Sequence, residues 1–294
     1  MPAGVADGAR LEEQTALRAR ERHLLVGVDA ATLDYLTGCD GAGGVVPAIW
    51  ANGHGQLSRS ERRIFRQVPD RPVACFTVDH LDDGTARLLD VFERRGLTTT
   101  VFVEGRHGEE RPDQVAEIAR RGHEVAMHGW AHEQWDSLDA EDEEKLARRA
   151  TDALASATGV APRGFRAPGG ARGEHTADLL SSLGYRYDAS LGDGMRCDVL
   201  EPGLAQVPFV WNGVDGAHYL ADPPPAPAEV ERAWTAALDK VAADGGLFLT
   251  ICHGFITGSD DERLAAFDRV MGRALDGGFE VLTIDAVAQR ALAT

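Results

Sequence analysis

Basic residues are scarce: 30 Lys and Arg stand against 47 Asp and Glu, a formal net charge of -17 in 294 residues. Phosphate backbones are gripped by clustered Lys and Arg, so nucleic acid is set aside as a partner. Cysteine is sparser still. Cys39, Cys75, Cys197 and Cys252 are widely scattered without a CxxC pair, and Cys75 and Cys252 fall in apolar runs, so all four read as free, packed thiols. No uncharged apolar run approaches the roughly 20 residues of a membrane span. The opening MPAGVADGARLEEQ has no apolar stretch behind a basic one. The expectation is a soluble, cytoplasmic protein with no membrane partner.

What is present is apolar residues in abundance, 44% of the chain, at a length that suits one large α/β domain. The text changes character near residue 70. Residues 10–26, RLEEQTALRARERHLLV, read as a charged helix with a thin apolar stripe, and Gly41 to Gly44 as a flexible break. Ser58-Arg59-Ser60-Glu61 has capping-box spacing, which predicts a short helix from there to Gln67. Residues 1–70 are read as an extension packed on the main domain, 71–294.

From residue 72 short apolar runs alternate with amphipathic segments. The predicted strands are VACFTV (73–78), TTVFV (99–103), EVAMH (124–128), GFRAP (164–168), YRYD (185–188), VPFVW (207–211), LFLTIC (247–252) and FEVLTI (279–284). Helices are predicted near 88–96, 112–121, 139–157, 174–183, 227–243 and 261–276. Strands separated by helices of that length pair in parallel through right-handed crossovers. With about eight strands the natural closure is a (β/α) barrel, with an open doubly wound sheet as the alternative. In both, the active site gathers at the carboxyl ends of the strands. Asp79, His80, His128, Arg166, Trp211 with Asp215, and His253 all fall there.

His128 and His132 are spaced to lie on one side of a helical turn and to share one ion, with Gly129 easing the exit from the strand. Asp79, ending an apolar strand beside a cation, suits a base that takes a proton from water. Its other reading is a helix cap, a job that Asp82 and Asp83 can fill instead. His253, ahead of Gly254, faces the mouth as a proton donor to a leaving amine or as an oxyanion partner, or else satisfies backbone carbonyls. Arg166, a charge directly after an apolar strand, needs a partner, and Asp79 is the obvious one.

The ordered motifs FTVDH, HGWAH, RAPGG and LTICH, over residues 76–253, resemble the NodB homology domain of the polysaccharide deacetylases, carbohydrate esterase family 4. The resemblance spans about residues 72–290 and implies a distorted barrel in which metal-bound water attacks an acetamido carbonyl. It implies Asp79 as base, His128 and His132 as metal ligands, Arg166 as the brace of the base and His253 as the acid. WNGVD resembles a further motif in which Trp211 lines the pocket and Asp215 tunes the acid. Trp130, Tyr219, Pro168 and Gly169 join Trp211 and Asp215 as candidate substrate-binding residues, with core packing as the other reading for the aromatics, Trp135 included.

Two departures from the family stand out. The family's first motif usually carries two adjacent aspartates, whereas here His80 follows Asp79. A three-His site with an open position suits zinc, with cobalt, nickel or manganese as alternatives. Neighbouring strand residues point to opposite faces, so Asp79 and His80 can share a site only if the chain turns there; otherwise Asp82 or Asp83 is the third ligand. The second departure is the missing export signal, which points to a soluble amino sugar or a small specialised metabolite as the N-acylated substrate. Cyclic-amide hydrolysis, a non-hydrolytic elimination, isomerisation or cyclisation, and a degenerate binding protein are the competing readings. A homo-oligomer is left open.

Overall fold

The computed structural model describes residues 63–65, 72–192, 196–201 and 203–293. In chain order the elements are β1 (Arg63–Phe65), β2 (Val73–Asp79), α1 (Thr85–Arg94), β3 (Thr100–Val103), α2 (Arg106–Glu110), α3 (Pro112–Arg120), β4 (Glu124–Met127), α4 (Ala140–Thr158), β5 (Gly164–Phe165), α5 (Thr176–Ser182), β6 (Tyr187–Asp188), β7 (Asp198–Leu200), β8 (Leu204–Gln206), α6 (Asp215–Tyr219), α7 (Pro227–Asp244), β9 (Leu247–His253), α8 (Asp261–Asp276), β10 (Glu280–Val281) and α9 (Ile284–Ala293). They build a ten-stranded sheet in the order β1-β7-β8-β6-β5-β4-β3-β2-β10, with β9 also paired to β2. From β8 through β2 to β9 every pairing is parallel, as the alternation of strands and helices predicted. Among the described residues β9 meets the chain beyond β8 through an isolated parallel bridge, Val214–Ile251, so the sheet curls into a distorted barrel without a continuous closing ladder.

The strand pattern sets which side chains face inward. Along β2, Ala74, Phe76 and Val78 pack against the helices, while Val73 and Cys75 belong to the inner cluster. Period-two alternation then carries Thr77 and Asp79 to the inner face. On β9, Phe248 and Cys252 lie outside and Leu249 and Ile251 inside, so His253 is inward too. Met127 and Phe165 face the helices, which turns the next residues, His128 and Arg166, into the barrel. Phe76 anchors the outer layer by meeting the rings of Phe248 and Phe267 edge-on, each at 5.7 Å. Each fully buried Phe contributes about 1.5–3 kcal/mol of apolar transfer energy.

Several expectations need correction. The stretch read as a capped helix to Gln67 contains strand β1, paired antiparallel with β7. The rest of the 1–70 extension, with the predicted 10–26 helix and Cys39, lies outside the described residues. VPFVW is not a regular strand; the ladder is formed earlier, by Leu204–Gln206, in an antiparallel hairpin with β7 that alternation did not predict. FEVLTI yields only Glu280–Val281, because Ile284 already opens α9. Cys75, Cys197 and Cys252 are free and buried. Among the described residues no helix is long and apolar enough to cross a membrane.

Candidate active site

Asp79 and His253 are register partners at the carboxyl ends of adjacent strands β2 and β9. Arg166 reaches across the interior, its Nη1 donating to Asp79 Oδ1 at 2.5 Å and to Thr77 Oγ1 at 3.0 Å, its Nε to the Ala189 carbonyl at 3.0 Å. The guanidinium also lies 3.9 Å over the Phe102 ring. Burial works against the Asp79 charge, but Arg166, with His128, His253 and His80 nearby, outweighs it and holds the carboxyl below its ordinary range. The signed consequence concerns acid stability. The contribution is complete above the ordinary carboxylate pKa near 3.9 and is lost as pH falls through the lower folded value. Between about pH 5 and about pH 3, thermal melts should show the parent losing more Tm than Asp79→Asn; equal losses would detach Asp79 from the acid response.

Facing Asp79 is a cluster of imidazoles. Among the described residues His80, His128 and His132 each offer one ligand atom, all within 4.8 Å of one another. The i, i+4 pair does not ride on a helix, contrary to expectation: residues 128–133 form a loop, with Gly129 at φ 69 and His132 at φ 65. A Cβ on Gly129 would meet Pro168 Cγ at 2.9 Å and Glu133 Oε2 at 3.0 Å, so both backbone and space require glycine. The Glu133 carboxylate fastens the loop by accepting from the amides of Trp130 (3.0 Å) and Ala131 (2.8 Å).

His80 is where the chain makes the turn that the sequence left open. Its φ is 71, the left-handed region that a non-glycine residue enters at a cost of about 1–2 kcal/mol, and this swings its ring to the same side as Asp79. The ring centroids of His128, His132 and His253 lie 5.1, 5.0 and 5.3 Å from that of His80. Asp82 is occupied elsewhere: its Oδ1 accepts from Gly84 N at 2.8 Å and its Oδ2 from Phe255 N at 3.1 Å. That second bond ties the turn after His253 to the turn after His80, and a Cβ on Gly254 would fall 1.9 Å from Asp82 Oδ1. Asp83 is exposed. Among the described residues the cluster that could hold an ion is His80, His128 and His132, without Asp82 or Asp83.

The donor set fits a divalent cation. His128 Nδ1–H donates to the Arg166 carbonyl at 2.9 Å and His80 Nδ1–H to Glu104 Oε1 at 2.7 Å, leaving both Nε2 atoms for an ion. Burial pushes His128 down to about 4 and His132 to about 3, so both are neutral ligands at neutral pH. For His80 burial acts the same way, but the Glu104 carboxylate overrides it and lifts the imidazole to about 9. A cation held at His80 would take the place of the Nε2 proton, with the Nδ1 proton kept on the Glu104 side.

On the opposite side His253 Nδ1–H donates to Asp215 Oδ1 at 2.5 Å. The Asp215 Oδ2 accepts from the His253 amide at 2.8 Å and from Thr257 Oγ1 at 2.6 Å. Asp215 is fully buried, so it serves His253 and does not line the cleft, as its grouping with substrate-binding residues implied. Tyr219 is likewise corrected. It is 5% exposed in the core, under the Arg263 guanidinium. Pro168 is buried against Gly129, and Gly169 is exposed at φ 68. Trp130 packs by Gly105 beneath Arg149, and Trp211 stands half-buried, edge-on to Phe209. Trp135 is a core residue, its indole donating to Glu143 Oε1 at 2.7 Å. Sequence reading missed Phe255, whose ring lies 5.4 Å from that of His253 and 6.1 Å from that of His80. It also missed Glu104, although a charge directly after the apolar run TVFV was a signal of the same kind as Asp79.

Residues 66–187 match the polysaccharide deacetylase family model. A peptidoglycan deacetylase of Helicobacter pylori is 33% identical over 132 residues, 45% of this chain and 44% of that protein. The chain thus spans less than half the length of that curated relative. A putative polysaccharide deacetylase from Mycobacterium smegmatis superposes with a TM-score of 0.70 at 27% identity, covering 78% of this chain and 93% of that one. A solved allantoinase shares the fold, with a TM-score of 0.68 at 18% identity, over 77% of this chain and 93% of its own.

Proposed function

We propose that this protein is a metal-dependent deacetylase that hydrolyses the N-acetyl group of an amino sugar, with zinc as the cation that three imidazoles favour. The observation that carries the reading is the pairing of two oriented groups across one cluster: Asp79 held by Arg166, and His253 held by Asp215. The names of the relatives, which act on peptidoglycan and chitooligosaccharide, support N-acetylated glycans as the substrate class.

His80, His128 and His132 would hold a divalent cation, which would supply Lewis-acid polarisation of the acyl oxygen and a lowered pKa for water. The chain's own residues do the rest. Asp79 Oδ2 lies 4.0 Å from His128 Nε2, beside the cluster, and accepts the proton of the attacking water as its oxygen bonds to the acyl carbon. Arg166 keeps Asp79 ionised until then and fixes its orientation. A proton on His253 Nε2 passes to the leaving nitrogen as the carbon–nitrogen bond breaks, giving acetate and a free amine. Asp215 fixes the tautomer and rotation of that ring and stabilises its cationic form.

The test is acetate release from an N-acetylglucosamine oligomer. Turnover is expected to vanish on chelation and to return with added zinc, and the product to lose one acetyl mass per event. Water uptake without acetate release would be cleavage of a glycosidic bond and would overturn the deacetylase reading. A product of unchanged mass would move it to isomerisation.

A further inference from the structure

We infer that Glu104 is the positioning residue that makes a histidine workable at position 80, an inference that rests on the cation reading above. Its carboxylate follows β3 and is turned into the barrel because Val103 faces the helices. It is 3% exposed, and one oxygen accepts from His80 Nδ1 at 2.7 Å. The other oxygen has no hydrogen-bond partner and lies 3.6 Å from the buried His107 Nε2. A buried carboxylate with one oxygen unsatisfied is costly, so its retention calls for a compensating partner. That partner is the imidazole at φ 71, which has no strand geometry to orient it and whose side-chain hydrogen bond, among the described residues, is to Glu104.

The pair supplies an ion with a charge that a lone imidazole lacks. An aspartate ligand brings one negative charge to the ion directly. A neutral imidazole brings none, and Glu104 returns that charge one bond further out, through the Nδ1–H, while fixing which nitrogen is free. Glu104 and His80 therefore act as one unit, and each has value only with the other.

A double-mutant cycle tests this, read by zinc affinity against a chromophoric chelator and by the visible spectrum of the cobalt-loaded protein. Glu104→Gln keeps an acceptor for the Nδ1–H but loses the charge, and should weaken zinc about tenfold; Glu104→Ala loses both and should weaken it about a hundredfold. In a His80→Asp background, Glu104→Gln should cost nothing or improve affinity, since two adjacent carboxylates no longer repel. The same loss in both backgrounds, or no loss beside His80, overturns the inference. Melting of the metal-free variants separates lost ligation from lost folding, and Glu104→Gln, being isosteric, stays informative if Glu104→Ala fails to fold. If the parent binds zinc and releases acetate while Glu104→Gln matches it, only this inference fails. If the parent binds no zinc, the functional reading fails first.

Discussion

His128→Ala should strip the protein of its cation and reduce acetate release by at least about a thousandfold, because the lowering of water's pKa toward neutrality goes with the ion. His128 is the most deeply buried of the three imidazoles. It is 3% exposed, its Nδ1–H is anchored on the Arg166 carbonyl, and its Nε2 lies 4.0 Å from Asp79 Oδ2. The two remaining imidazoles, both at positive φ, are a poor chelate. The truncation also leaves the Arg166 carbonyl without its donor, a cost of about 1–3 kcal/mol, which lowers Tm but leaves the far-ultraviolet dichroism unchanged. Metal content by elemental analysis and acetate release measured on the same preparation check it. Activity surviving in metal-free His128→Ala would refute the cation-centred mechanism.

Asp79→Asn should separate binding from chemistry. An amide at this position has nearly the same shape and cannot take a proton from water, so turnover falls by at least about a hundredfold while zinc stays bound at full stoichiometry. The variant is also less stable. Arg166 is buried and loses its counter-charge, and breaking one side of such a pair costs about 3–5 kcal/mol. Full activity would place the base elsewhere. Loss of zinc together with activity would make Asp79 a ligand, and His80 would then have to be reassigned. The two variants divide the cluster: one should remove the ion and the other should leave it idle.

The reach of sequence reading can be followed residue by residue. Asp79, His128, Arg166 and His253 were each legible as a polar residue at the end of an apolar run, because a parallel barrel delivers every such residue to one rim. The pairing of Arg166 with Asp79 was legible from the cost of leaving a buried guanidinium unpaired. Position 80 was not decidable in that way. Strand alternation alone sends it to the opposite face from Asp79, and the reversal depends on a single backbone torsion that neighbouring elements hold in place.

Asp215 and Tyr219 show the same limit. Asp215 closes the WNGVD segment and Tyr219 follows it, yet one is folded against His253, thirty-eight residues away in sequence, and the other into the core. Glu104 was visible as a charge after TVFV, but its partner was not, since the bond spans the twenty-four residues back to His80.

The sequence by itself determined the class of fold, the order of the strands' carboxyl ends and the four side chains on them, because hydrophobic periodicity and parallel crossovers are local rules. Tertiary structure alone decided which histidines converge, that the i, i+4 pair sits on a loop, that Asp82 is spent on the turn after His253, and that the barrel closes without a continuous ladder. Those outcomes depend on contacts between residues far apart in the chain, where no local pattern acts.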